Sequence, residues 1–169
     1  WLRSNIKQRL QVKTLVVVPE HPDDFTGHVD GSIRIVDEKK AVVGCPPPDE
    51  NTPHDYGEAL ERSRRYSQRL VHLVQGHFEV IELIDVSYRA PDDPEGGVKG
   101  LYANFLQMGR TLYVPQYGMP EDEVAADQLM AAGFQVIQVN AQELIAPEHP
   151  ERAGGSINCV TWNWAKAEC

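Results

Sequence analysis

With 169 residues, 41% of them hydrophobic and 24% charged, the chain has the make-up of one globular domain around a single core. A formal net charge of −9 and a pI near 5.1 argue against a nucleic-acid surface and suit a cationic small-molecule partner. No apolar run approaches the roughly 18 residues of a membrane span. Three cysteines without a CxxC pair, Cys45, Cys159 and Cys169, indicate neither a disulfide framework nor a zinc knuckle, so a reducing, cytoplasmic setting is expected.

In chain order, Ser4 to Gln11 reads as the last turns of a helix, with Ile6 and Leu10 on one face. Lys13 to Pro19, KTLVVVP, is β-branched and apolar, as a strand covered on both faces would be. Ser32 to Val36 alternates as a half-buried strand, Asp37 to Lys40 forms a hairpin turn, and Ala41 to Gly44 returns until Cys45-Pro46-Pro47-Pro48 stops it. After a polar loop, Tyr56 to Gly76 carries a helical stripe of Leu60, Leu70, Leu73 and Val74, and Phe78 to Ile84 alternates again. The Pro, Asp and Gly content of Asp85 to Gly100 predicts a long loop. Strands follow at Tyr102 to Met108 and Thr111 to Pro115, joined at Gly109-Arg110. A helix from Glu121 to Ala132 opens with Pro120 and acids in its first turn and closes at Gly133. Phe134 to Asn140 is a strand, Pro147 to Gly155 a loop, and Ile157 to Trp164 the final strand. A strand pair, a helix and a return strand thus recur, which predicts an α/β fold of repeated units in a single domain over residues 1–169. Repeats that share a core need three or more units, so roughly two and a half of them predict that another segment or chain completes it.

Two stretches concentrate reactive groups. Between Asp23 and Val36, His28 and Asp30 stand two positions apart at the mouth of a strand, which would turn imidazole and carboxylate to one face. Gly27 and Gly31 bracket them and leave room for a ligand. The alternative is a turn capped by Asp30 with His28 on the surface. In Gly154 to Thr161, GGSINCVT, a glycine pair leads into a strand that carries Cys159. A nucleophilic thiol needs a base or cation and open access; a buried structural thiol is the alternative, and is the reading for Cys45 and Cys169.

TGHVD at 26–30, YANF at 102–105 followed by a strand ending in VP, an acid-led helix and GGSINCVT, in that order, resemble the C-terminal half of the agmatine deiminases and Porphyromonas-type peptidylarginine deiminases. The resemblance runs from about Lys13 to Thr161 and implies a partial pentein-type α/β propeller built from ββαβ units. It implies a hydrolase that turns a guanidino group into a ureido group plus ammonia through a covalent cysteine intermediate. Carried over by position, Cys159 is the implied nucleophile and His28 the general acid/base. Asp30 is implied to grip the guanidinium, with Asn104 close to the substrate. No metal or organic cofactor is implied. The implied substrate is a small guanidino cation such as agmatine, in preference to a peptidyl arginine.

Two positions depart from that pattern. Asn158 stands where many deiminases have a histidine, and the family's N-terminal half, which supplies a further acid, has no counterpart here. The isolated chain is therefore expected to form a homo-oligomer or to associate with a missing N-terminal half, and to be incomplete as an enzyme alone.

Other readings compete. A half-length relative kept as a non-catalytic binding module is one. His21-Pro22-Asp23-Asp24 resembles the zinc motif of deacetylases, although Phe25 replaces the final acid and His72 and His77 are five apart rather than an HxxH pair. Arg62 to Arg69, RSRRYSQR, is expected to be a solvated helix face balanced by Glu58 and Glu61. Trp162 and Trp164 are expected to pack in a core or interface.

Overall fold

The computed structural model describes residues 1–22, 28–47, 56–89, 99–142, 144 and 156–161. It opens on helix α1, Leu2–Leu10, which buries none of its residues. Asp37 then sets the first sheet: its Oδ1 accepts the amides of Lys39 and Lys40, both at 2.7 Å. That side-chain turn folds β1, Ile33–Ile35, back antiparallel on β2, Lys40–Cys45. A crossover carrying α2, Gly57–Val74, returns the chain so that β3, Glu79–Ile84, lies parallel to β2, in the order β1-β2-β3. As in other parallel pairs, β2 is covered on both faces. Ala41 and Val43 pack on Tyr66, Leu70 and Val74 of α2, while Val42 enters the main core on the other side.

The second unit repeats the plan. Gly109, at φ 62°, makes the left-handed turn between β4, Leu106–Met108, and β5, Thr111–Gln116. Helix α3, Glu121–Ala131, leads to β6, Gln135–Asn140, parallel to β5. The two sheets share one core, in which Val42 and Leu83 of the first join Leu112 and Val114 of the second and Ala125 and Leu129 of α3. Polar ties reinforce this contact. Gln128 Oε1 accepts the Ile84 amide at 2.8 Å, and Gln107 Nε2 donates to the Val36 carbonyl at 2.8 Å. Lys40 Nζ donates to the Ala132 carbonyl at the end of α3, where the helix dipole favours a cation.

The acids that open α3 do different jobs. Asp122 is buried and accepts four hydrogen bonds: Tyr102 Oη at 2.8 Å and the Tyr117 amide at 3.0 Å on Oδ1, and the Gly118 and Met119 amides at 2.8 and 3.0 Å on Oδ2. It ties the loop after β5 to the helix and to the YANF segment. Glu121 pairs with Arg89 at 2.5 Å. Burial works against the Arg89 charge, but its bonds to Glu121 and Tyr88 more than reverse that and raise its pKa.

Two predicted strands are not strands among the described residues, and a third is shorter than expected. Among the described residues Lys13 to Pro19 joins no ladder, although Val18 packs on the α2 cluster. Tyr102 to Phe105 is an irregular buried segment, turned by a bond from the Asn104 amide to the Leu101 carbonyl at 3.2 Å, and the strand begins only at Leu106. Ile157 to Val160 is a tight turn, closed by the Val160 amide on the Ser156 carbonyl at 3.3 Å. The predicted loop from Asp85 begins with a single 3₁₀ turn, Ser87–Arg89; residues 90–98, the 147–155 loop, Trp162, Trp164 and Cys169 lie outside the described residues. On α2 the basic stretch is only partly a solvated face: Arg65 pairs with Glu61 at 2.8 Å and Arg62 with Glu58 at 4.0 Å, whereas Ser63, Tyr66 and Ser67 are buried and Arg64 donates to the Pro47 carbonyl at 3.2 Å. No helix among the described residues is long and apolar enough to cross a membrane.

Candidate active site

Three chain segments meet at Cys159. The first is the turn before β1. The Val29 carbonyl accepts both the Ser32 and Ile33 amides at 3.0 Å, so the ladder starts at Ile33 and neither His28 nor Asp30 lies on a strand. This corrects the expected same-face strand pair: Asp30 sits half-buried in the turn, and His28 lies exposed just before it. Gly31 is buried for a different reason than ligand access, since a Cβ there would meet Leu101 Cδ1 at 3.1 Å. Gly27 lies outside the described residues.

The second segment is the buried stretch 102–105, which presents Asn104. The third is the turn at 156–161. Its base is the fully buried Ser156, whose Oγ shares a 2.9 Å hydrogen bond with Tyr117 Oη. Burial holds the Tyr117 phenol well above its usual pKa, so it stays a neutral donor and acceptor.

The Asn158 amide donates to Asn104 Oδ1 at 3.0 Å. Because a backbone N–H can only donate, this bond fixes the Asn104 side chain with Nδ2 turned the other way, 3.1 Å from Asp30 Oδ2 and 3.3 Å from Cys159 Sγ. Asn158 Nδ2 donates to the same Asp30 oxygen at 2.7 Å. Cys159 is exposed, with Sγ 3.7 Å from Asp30 Oδ2. The structure thus brings Asp30, Asn104 and Cys159 together and adds Asn158. Sequence reasoning registered Asn158 only as a departure; its signal was adjacency to the cysteine.

Arg34 of β1 is a second residue the sequence did not single out. Its guanidinium carbon stands 5.5 Å from the centroid of the buried Phe105 ring, next to Asn104. Burial lowers its pKa, while attraction to Asp30 and then to Cys159 acts in the opposite sense.

The other described thiol differs. Cys45 is half-buried at the end of β2, and burial together with Glu82 pushes its pKa up to about 12. It lines an open groove of about 560 Å³ with Arg64, His72 and Glu82, which holds none of the Cys159 cluster. His21 packs edge to face on Tyr66 with ring centroids 4.5 Å apart.

The profile of the Porphyromonas-type peptidyl-arginine deiminase family matches residues 1–164. The chain belongs to that family. The match covers the segment around His21 and displaces the deacetylase reading. No curated protein matches the chain. Among solved structures it superposes on the C. jejuni agmatine deiminase with a TM-score of 0.66 at 20% identity, covering 94% of this chain and 44% of that one. A substrate-bound variant of that enzyme gives 0.65 at 19% identity, with 94% and 44% covered. The agmatine deiminase of Enterococcus faecalis gives 0.64 at 22% identity, with 94% and 46% covered. At these identities the likeness establishes a shared α/β fold. This deiminase-family chain spans less than half the length of those structures.

Proposed function

We propose that this chain carries the cysteine-bearing part of a guanidine deiminase, arranged as part of a pentein-type propeller. The observation that supports it most is the convergence of Asp30, Asn104 and Asn158 on Cys159 in a chain of this family. In this reading the Cys159 thiolate attacks the guanidinium carbon. The carbon becomes tetrahedral, one C–N bond breaks, and His28 gives its proton to the departing ammonia. Water, deprotonated by His28, then attacks the amidino-thioether; the C–S bond breaks, a ureido group leaves and the thiolate is restored. Asp30 and Asn104 hold the planar cation, a carboxylate being the matching partner for a guanidinium edge. The chemistry uses no metal or organic cofactor.

The favoured substrate is agmatine or a similar small guanidino cation, in keeping with the agmatine deiminases among the structural neighbours. A complete site needs a second copy or the remaining half of a deiminase. Exposed Ile35, Met108 and Ile137 on outer strands support such an association. A reducing cytoplasm, which keeps Cys159 a thiol, suits the mechanism.

The test is ammonia and ureido release from agmatine, arginine and an arginyl peptide, comparing the chain with Cys159→Ala. Release lost in the variant is expected, with agmatine turned over fastest. A folded chain that releases nothing, even when its oligomeric state is varied by concentration, overturns the enzyme reading in favour of a binding module.

A further inference from the structure

We propose that Asn158 is a positioning residue for Asp30: with Asn104 it holds Oδ2 of that carboxylate beside Cys159, which leaves Oδ1 to receive one N–H of a planar guanidinium. The inference rests on the reading that this cluster takes a guanidino cation, but not on turnover by the isolated chain.

The hydrogen bonds on Asp30 fall on one oxygen. Oδ2 accepts Asn158 Nδ2 at 2.7 Å and Asn104 Nδ2 at 3.1 Å, and Cys159 Sγ stands 3.7 Å from it. A carboxylate oxygen offers about two lone-pair positions, so the two amides fill Oδ2. Among the described residues no hydrogen bond falls on Oδ1.

The backbone of Asn158 is tied to the same neighbours. Its N–H donates to the backbone carbonyl of Asn104 at 3.2 Å and to Asn104 Oδ1 at 3.0 Å. The cysteine turn closes without the Asn158 side chain: the Val160 amide meets the Ser156 carbonyl at 3.3 Å, the Thr161 amide meets the Asn158 carbonyl at 3.3 Å, and Ser156 is held on Tyr117. The Asp30 turn likewise closes on the Val29 carbonyl. The 2.7 Å bond is therefore additional to both turns. What it fixes is a carboxylate 128 positions away, against the residue next to the thiol. A carboxylate free to rotate would offer either oxygen to the sulfur; one pinned through Oδ2 offers a single arrangement. A guanidinium has N–H donors and no acceptor, so an acceptor oxygen held in place is what its recognition needs.

Two small electrophiles of one shape read this without turnover: chloroacetamidine, a planar cation with N–H donors, and neutral chloroacetamide. Each alkylates a thiol by forming a C–S bond as chloride leaves. The full chain, Asn158→Leu and Asn158→His are treated with each at about pH 8, where histidine is uncharged, and labelling of the Cys159 peptide is followed by mass spectrometry. Rates are divided by those of a free cysteine peptide, and taking the amidine-to-amide ratio cancels changes in the thiol itself. The ratio should exceed unity in the parent and fall by about three- to tenfold in Asn158→Leu, which keeps the shape of asparagine but donates nothing. In Asn158→His the ring Nδ1, bonded to Cγ as Nδ2 is, can donate to Asp30. Most of the ratio should then return, which a purely structural role would not produce. Cys45, half-buried and slow to react while folded, reports folding in the same digest. In the parent, hydrogen exchange of the Asn158 side-chain amide, followed by NMR, should be slower than in the unfolded chain, a measurement that needs no variant. A preference lost in Asp30→Ala but kept in Asn158→Leu overturns the proposal and spares the cation reading, whereas a parent ratio of unity overturns both. Unprotected exchange in the folded parent also overturns the proposal. A ratio that depends on Asn158 without any ammonia release supports the proposal and counts against the deiminase reading alone.

Discussion

Replacing Asp122 by alanine should be among the most damaging single changes in this chain. The carboxylate is buried and serves four donors, so its loss leaves four N–H or O–H groups to find other partners. Gly118 is exposed and Met119 half-exposed, and water can take over at both. The Tyr102 hydroxyl and the Tyr117 amide belong to buried residues. Each buried donor left unpaired costs about 1–3 kcal/mol. Loss of an acid at the α3 N-terminus adds about 0.3–1 kcal/mol. Asp122→Ala should therefore destabilise by about 2–7 kcal/mol, against a total of about 5–15 kcal/mol for an ordinary domain. Asp122→Asn keeps one acceptor oxygen but turns an NH₂ group toward donors, and should cost about half as much. Urea unfolding followed by circular dichroism measures both. The damage should also reach the candidate site, because Tyr117 holds Ser156 at the base of the cysteine turn. Hydrogen exchange of the Asn158 amide should quicken in a folded Asp122→Asn sample. An alanine variant within about 1 kcal/mol of the parent, or an asparagine variant worse than alanine, would refute the account of Asp122 as the tie between α3 and the core.

Gly44→Ala should destabilise by about 1–3 kcal/mol, because the new Cβ would lie 2.8 Å from an Asp85 oxygen; thermal melts of the single variant and of Gly44→Ala with Asp85→Ala test it, the second change relieving the clash. Asp85 is buried, and burial raises its pKa despite two bonds from Ser87. The folded chain therefore binds its proton more tightly than the unfolded one. Stability from this group is full below the unfolded value, roughly pH 4, and is lost as pH rises toward the folded value. Asp85→Asn should therefore gain on the parent between pH 4 and neutrality in urea titrations; equal curves across that range would contradict the assignment. Limited alkylation near neutral pH should label the exposed Cys159 well before Cys45, whose pKa is pushed up to about 12, and urea should abolish the difference. Labelling of both thiols at one rate in the folded chain would show that Cys45 is not protected.

Periodicity and turn chemistry made the two hairpins, both long helices and their return strands legible, to within one or two residues at most ends. What sequence could not supply was the partner of a strand. Lys13 to Pro19 has the composition of a covered strand, but composition does not say which edge a strand will join, and among the described residues this segment pairs with none of the outer strands. Tyr102, Ala103 and Phe105 of the YANF segment are buried because they line the core, not because they are pleated, and so short an apolar stretch does not separate these cases. At the site, Cys159, Asp30 and Asn104 were singled out by motif and meet in space. Arg34 and Asn158 were passed over because each owes its place to a partner more than 50 residues away, Phe105 or Asp30.

That separation bears on how the chain folds. Each three-stranded sheet can form from contacts within its own segment, the hairpin first and the crossover strand later. The Asp30 to Asn158 bond closes a loop of 128 residues and exists only once the two sheets have docked. Closing a loop of that length is entropically slow compared with forming either hairpin. The Cys159 cluster is therefore expected to be the last element to mature during folding, after both sheets have their native pairing. A nascent or partly unfolded chain would hold Asp30, Asn104 and Cys159 apart, and their cluster would assemble only with completion of the fold.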